Sequence, residues 1–158
     1  MALIDDTLML CSAVALNTGA AGTYLIGSQI DTSTVRDLGN GRPVYFFIDV
    51  ETAIEAAGAG TISFVLASDD VVGVGTTATT SNWHYQTPPI PTSTTTDTTT
   101  LIAGTRLFEC AIPSDGITPY GLFLGLLQIT ASNAITAGKV NVGFTLQPTS
   151  QRYYPNGI

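Results

Sequence analysis

Few residues in this chain have a type and spacing that supports chemistry. His84 is the single histidine. A histidine works as a base beside a nucleophile and an orienting acid, or as a metal ligand among further His and Cys. The sequence offers no second His, no Ser-x-x-Lys and no Gly-x-Ser-x-Gly context. His84 is therefore read as structural, or as part of an aromatic contact cluster with its neighbours Trp83 and Tyr85. Two carboxylate pairs, Asp5-Asp6 and Asp69-Asp70, are adjacent in sequence. Neighbours on a strand point to opposite faces, so neither pair forms a dyad. A calcium loop needs oxygens at alternate positions around a Gly turn, and neither pair supplies that. Both are expected to be solvated strand ends. Gly73-Val74-Gly75 and Gly39-Asn40-Gly41 look Gly-rich, but no helix follows to receive a phosphate, so they read as turns. Cys11 and Cys110 lie outside any Cys-x-x-Cys pattern and inside apolar segments. They are expected to be buried free thiols; a disulfide between them is allowed but not required. No catalytic, cofactor-binding or metal-binding residue is assigned, and the expectation is a protein that is not an enzyme.

The elements that position these residues read as strands. Charged residues make up 11% of the chain and hydrophobic ones 44%; about 25% charged is typical. Thr, Ser, Gly and Ala take the place of the missing charge, which favours short strands and tight turns over helices. Strand-like runs are expected at residues 7–14, 23–30, 44–50, 61–68, 82–86, 105–112, 120–130 and 139–147. A weaker strand is expected at 71–80. Residues 51–59 read as a hairpin connection, 131–138 as a loop, and 87–100 as an exposed loop rich in Pro and Thr. In 105–112, Leu107, Glu109 and Ala111 should oppose Arg106, Phe108, Cys110 and Ile112. These runs predict an all-β fold: a jelly-roll-like, two-sheet β-sandwich of about eight strands in one domain. That domain is expected to span residues 1–158, with an N-terminal arm (1–10) and a C-terminal tail (148–158).

Charge narrows the partners. The formal net charge is −7, and the five Lys and Arg are scattered. No basic stripe is present for nucleic acid or an anionic membrane. No signal peptide is visible, and no run approaches the roughly 18 apolar residues of a membrane helix. Synthesis in the cytoplasm is the expectation. Terminal arms fray unless they dock, so apolar and aromatic residues near the ends suggest anchors. Expected interface residues are Leu3, Ile4, Leu8 and Leu10 in the arm and Tyr153, Tyr154 and Pro155 in the tail, with Trp83 and Tyr85 on the body.

The block Arg36-Asp37-Leu38-Gly39-Asn40-Gly41-Arg42-Pro43, followed by the apolar run 44–50, resembles a block of phage capsid cement (decoration) proteins. The resemblance is to the type found in a short-tailed Bordetella phage. Residues 61–70 resemble that family's strand ending in an acidic pair, and Leu101-Ile102-Ala103-Gly104-Thr105 its lead-in to an apolar strand. Residues 120–130 and 137–146 resemble its closing hairpin. The likeness covers roughly residues 5–148. It departs from the pattern at 83–100 and after 148. The resemblance implies a jelly-roll-like sandwich assembled as a homo-oligomer, dimer or trimer, on the major capsid protein at the outer surface of an icosahedral virion shell. It brings no catalytic residue and no cofactor. The alternatives are a carbohydrate-binding sandwich, with Trp83 and Tyr85 as a sugar platform, and a tail or fibre component. Solvent-exposed, coplanar aromatics on one face would favour the sugar reading.

Overall fold

In a computed structural model, the alternating apolar runs become, among the described residues, nine antiparallel strands in two facing sheets. The structure describes residues 9–32, 44–94, 100–112 and 120–145. The strands are β1 (Met9–Ala15), β2 (Gly22–Asp31), β3 (Tyr45–Ala56), β4 (Gly60–Asp69), β5 (Asn82–Gln86), β6 (Ile90–Thr92), β7 (Arg106–Ala111), β8 (Phe123–Ala131) and β9 (Ile135–Thr145). The first sheet has the order β1-β9-β3-β7 and the second β2-β8-β4-β5, with β6 also on β4. β5 pairs with the second half of β4 and β6 with its first half. They form one edge strand broken at Pro88-Pro89, where proline cannot donate to a ladder. Counted so, the fold has eight strand positions in jelly-roll order, as the sequence predicts.

Period-two alternation builds the core. Phe46, Ile48, Val50 and Ile54 of β3 face Ile62, Phe64 and Leu66 of β4. Leu124 and Leu126 of β8 and Val140, Val142 and Phe144 of β9 close the layer. Each such side chain contributes about 1.5–3 kcal/mol on burial.

Several expectations are corrected. β3 does not end at residue 50: it runs to Ala56, because Ile54 and Ala56 continue the buried parity. β9 begins at Ile135, inside the expected loop, since Ile135 is buried against Ala56 of β3. Residues 71–80 are not a strand but a loop of bends and turns. Residues 87–94 are not simply exposed loop: Thr87 and Thr92 are buried and Ile90–Thr92 pairs with β4. In β7 a register shift opposite Ile48 and Asp49 breaks the alternation, so Arg106 joins Glu109 instead of opposing it. The expected turn at Gly39-Asn40-Gly41 lies outside the described residues.

Candidate functional site

Among the described residues, three places gather polar or exposed groups that could serve a function. The first is around His84. The hydroxyl oxygen of Ser68 lies 2.6 Å from His84 Nε2. It also accepts a hydrogen bond of 2.8 Å from the Gly121 amide. The His84 ring stacks on Tyr120, with centroids 3.7 Å apart. Burial lowers the His84 pKa from 6.5 to about 4, so the ring is neutral at pH 7. A Ser–His contact is the first half of a nucleophilic pair. Here, however, Ser68 is 0% exposed, which leaves no approach for a substrate. The contact instead ties β4, β5 and the segment before β8 together. Gly121 packs so tightly there that a Cβ would lie 2.5 Å from the Asp69 carbonyl carbon.

The second is on the outer face of the first sheet. Arg106 Nε and Nη2 donate to the two carboxylate oxygens of Asp49, at 2.6 and 2.7 Å. Its Nη1 donates to Glu109. The guanidinium also lies over the buried Phe47 ring, 4.8 Å from its centroid. The hydrogen bonds to Asp49, foremost, raise the Arg106 pKa. Beside this cluster Asn141 donates to Glu51 and accepts from the Ala13 amide, both at 2.6 Å. An open groove of about 400 Å³, lined by Asp49, Glu51, Gly104, Arg106 and Asn141, results. Its charged groups already hold partners, Arg106 with Asp49 and Glu51 with the Asn141 amide, so it reads as a fastened surface.

The third is on the outer face of the second sheet. Val65, Ala67 and Leu127 point away from the main core, yet all are fully buried. The loop 70–81 covers them by inserting Val74, which is 2% exposed. Gly125 makes the space: a Cβ there would be 3.1 Å from Val74 and 2.9 Å from Leu25. Leu25, Trp83, Phe123 and Ile129 rim the cluster, partly exposed. At the start of the loop, just after β4, stand Val71 and Val72, 65% and 69% exposed. No other large hydrophobic among the described residues is so exposed.

The structure divides the residues expected to form interfaces. Leu10 is 1% exposed and fills the protein's own core, which corrects its assignment as an anchor. Trp83 and Tyr85 do not share a face. A register shift in β5 aligns Tyr85 with Leu66 and Trp83 with Ala67. Tyr85 packs toward the main core, stacked on Phe108 at 4.3 Å, and Trp83 joins the opposite cluster. A joint sugar platform is therefore not formed by these two rings. Leu3, Ile4, Leu8, Tyr153, Tyr154 and Pro155 lie outside the described residues. Both cysteines are free; Cys11 is buried, but Cys110 is only partly so.

Sequence reasoning missed the Arg106–Asp49 pair, which depends on a register shift no alternation reveals. It also missed the exposed Val71-Val72 pair. The signal for that loop was present in Asp69, Gly73 and Gly75, residues that favour turns over strands.

Among the described residues no group of three or more His, Cys, Asp or Glu gathers to hold a metal ion. No helix among them is long and apolar enough to cross a membrane. No curated protein matches the chain. The family model described as Bbp16 matches residues 10–144, an interval that takes in all but the outermost residue of β1 and of β9. The chain belongs to the Bbp16 family.

Proposed function

We propose that this protein is a structural component of a phage virion, a cement protein that binds the outer face of the icosahedral shell and stabilises it. The carrying observation is the family match across nearly the whole jelly roll. The family's name agrees with a Bordetella phage source, and the block 36–43 with the segments after it resembles cement proteins in order and spacing. The partners in this reading are the major capsid protein and further copies of the chain, as a dimer or trimer. Its work is non-enzymatic: a ligand that binds only the assembled shell stabilises it by mass action. The low charge of the surface suits packing at symmetry axes, where like charges would otherwise meet.

The test is co-sedimentation of the purified protein with shells of its own phage that have been stripped of it. Saturable binding at a fixed ratio to the major capsid protein, with shells that then resist heat, is the expected result. Absence of binding overturns the proposal and turns attention to the tail or fibre.

A further inference from the structure

We infer that Ser68, His84 and the Gly121 amide form an acid-released latch: protonation of His84 Nε2 frees the first half of the edge strand β5 from β4 and from the segment before β8, while the rest of the sandwich stays folded. The device belongs to the fold and does not depend on the shell-binding role.

Hydrogen bonds fix the direction of the contact. Ser68 Oγ accepts from the Gly121 amide at 2.8 Å and has one further hydrogen-bond partner, His84 Nε2 at 2.6 Å. Ser68 is 0% exposed, so water does not reach its hydroxyl. The hydroxyl hydrogen therefore has a single acceptor, Nε2, and the proton of the neutral ring must sit on Nδ1. A second proton, taken from solvent at Nε2, turns that acceptor into a donor. The Ser68 hydroxyl then faces two donors, and its own hydrogen is buried without a partner. Swinging the ring out into water relieves this.

The ladder is weakest at the same place. Leu66 and Ala67 are consecutive on β4, yet they align with Tyr85 and Trp83. His84 is the extra residue of this bulge, and such a residue is left out of the ladder. Every residue of β5 is at least partly exposed, and the strand lies at the edge of its sheet. Edge segments with few buried contacts open before the whole fold does. Beyond the bulge the edge is pinned. The Thr87 amide donates to Phe64 O, and Thr87 Oγ1 accepts from the Phe64 amide, both at 2.9 Å. The strand can thus open from Asn82 to the bulge and stay held at Thr87.

The surroundings set the sign. Among the described residues, the titratable groups around the ring are Tyr120, stacked on it, Asp69 and the exposed Asp70, which follow Ser68, and Tyr85 with Cys110 beyond it. The Asp69 carboxylate is taken by the Val71 and Gly75 amides, and Tyr85 is stacked on Phe108. Burial holds the ring's pKa below its ordinary 6.5 while the latch is closed. Opened into water, the ring returns toward that value. The open form therefore gains population as pH falls below 6.5.

The test uses the full chain. Nitrogen NMR of the imidazole at pH 7 reads the tautomer of the single histidine. A proton on Nδ1 is expected; a proton on Nε2 overturns the latch. Hydrogen exchange, corrected for intrinsic rate, reads the opening. Protection of the Gly121 amide should fall about tenfold or more between pH 7 and pH 4.5. At pH 4.5 it should lie below the protection of the Thr87 and Phe64 amides. His84→Gln keeps an acceptor for Ser68 that does not titrate, and should lose most of that fall. An equal fall in His84→Gln overturns the role of the ring. Equal protection at Gly121, Thr87 and Phe64 overturns the local opening, since the three then exchange only through global unfolding.

Discussion

Gly27 of β2 and Cys11 of β1 meet across the two sheets: a Cβ on Gly27 would lie 2.3 Å from the Cys11 sulfur and 2.6 Å from the Leu10 carbonyl oxygen. Gly27 also has φ +72° and sits at the register shift of β2. Gly27→Ala should destabilise the fold by about 2–4 kcal/mol through strain and overpacking together. A lowered denaturation midpoint at unchanged slope would show it. Adding Cys11→Ala should recover only part, since the Leu10 carbonyl remains. Full recovery would contradict the backbone clash.

The two thiols should differ in reactivity. Burial pushes the Cys11 pKa up to about 12, and Cys110, only partly buried, is raised as well. The thiolate is the reactive form. At pH 8 a disulfide reagent should label Cys110 well before Cys11 in the native protein, and both at once in denaturant. Peptide mass mapping locates the label; equal native rates would contradict the burial of Cys11.

His84 should make stability depend on acid. Its folded pKa of about 4 lies below the unfolded 6.5, so the unfolded chain binds more protons in between. Its contribution is complete above pH 6.5 and is lost as pH falls toward 4. Partial exposure reduces the loss to on the order of 1–2 kcal/mol. The stability difference between wild type and His84→Gln should shrink across that window. A difference that stays flat would mean the ring is not desolvated as the stacking on Tyr120 implies.

The Arg106 fork should resist conservative replacement. Lysine carries the charge but not the two parallel donors that meet Asp49. Arg106→Lys should cost about 1–2 kcal/mol, much of it shared with Asp49. In a double-mutant cycle with Asp49→Asn, coupling of about 1 kcal/mol is expected. Coupling near zero would reduce the pair to a solvated surface contact.

Much of the sandwich is legible because burial on one face imposes a period of two. Ile62, Phe64 and Leu66 announce β4, and Val140, Val142 and Phe144 announce β9, without reference to any partner. What the alternation hides is the register shift. Trp83 and Tyr85 have the same parity in sequence and opposite faces in the structure, because β5 slips one residue against β4. The same kind of shift brings Arg106 beside Glu109. Strand ends were misjudged where alanines carry the pattern, as at Ala56, since a small side chain is a weak sign of burial. The loop 70–81 was misread because Val71, Val72 and Val74 look like a strand. One of them is buried and two are exposed, and only the fold decides which.

The most direct test of the central claim is a cryo-electron microscopy reconstruction of the virion beside one of shells stripped of this protein. The difference density should show the eight-position jelly roll repeated over the outer shell surface in icosahedral order. Density confined to the tail or fibres, or none on the shell, would contradict the account.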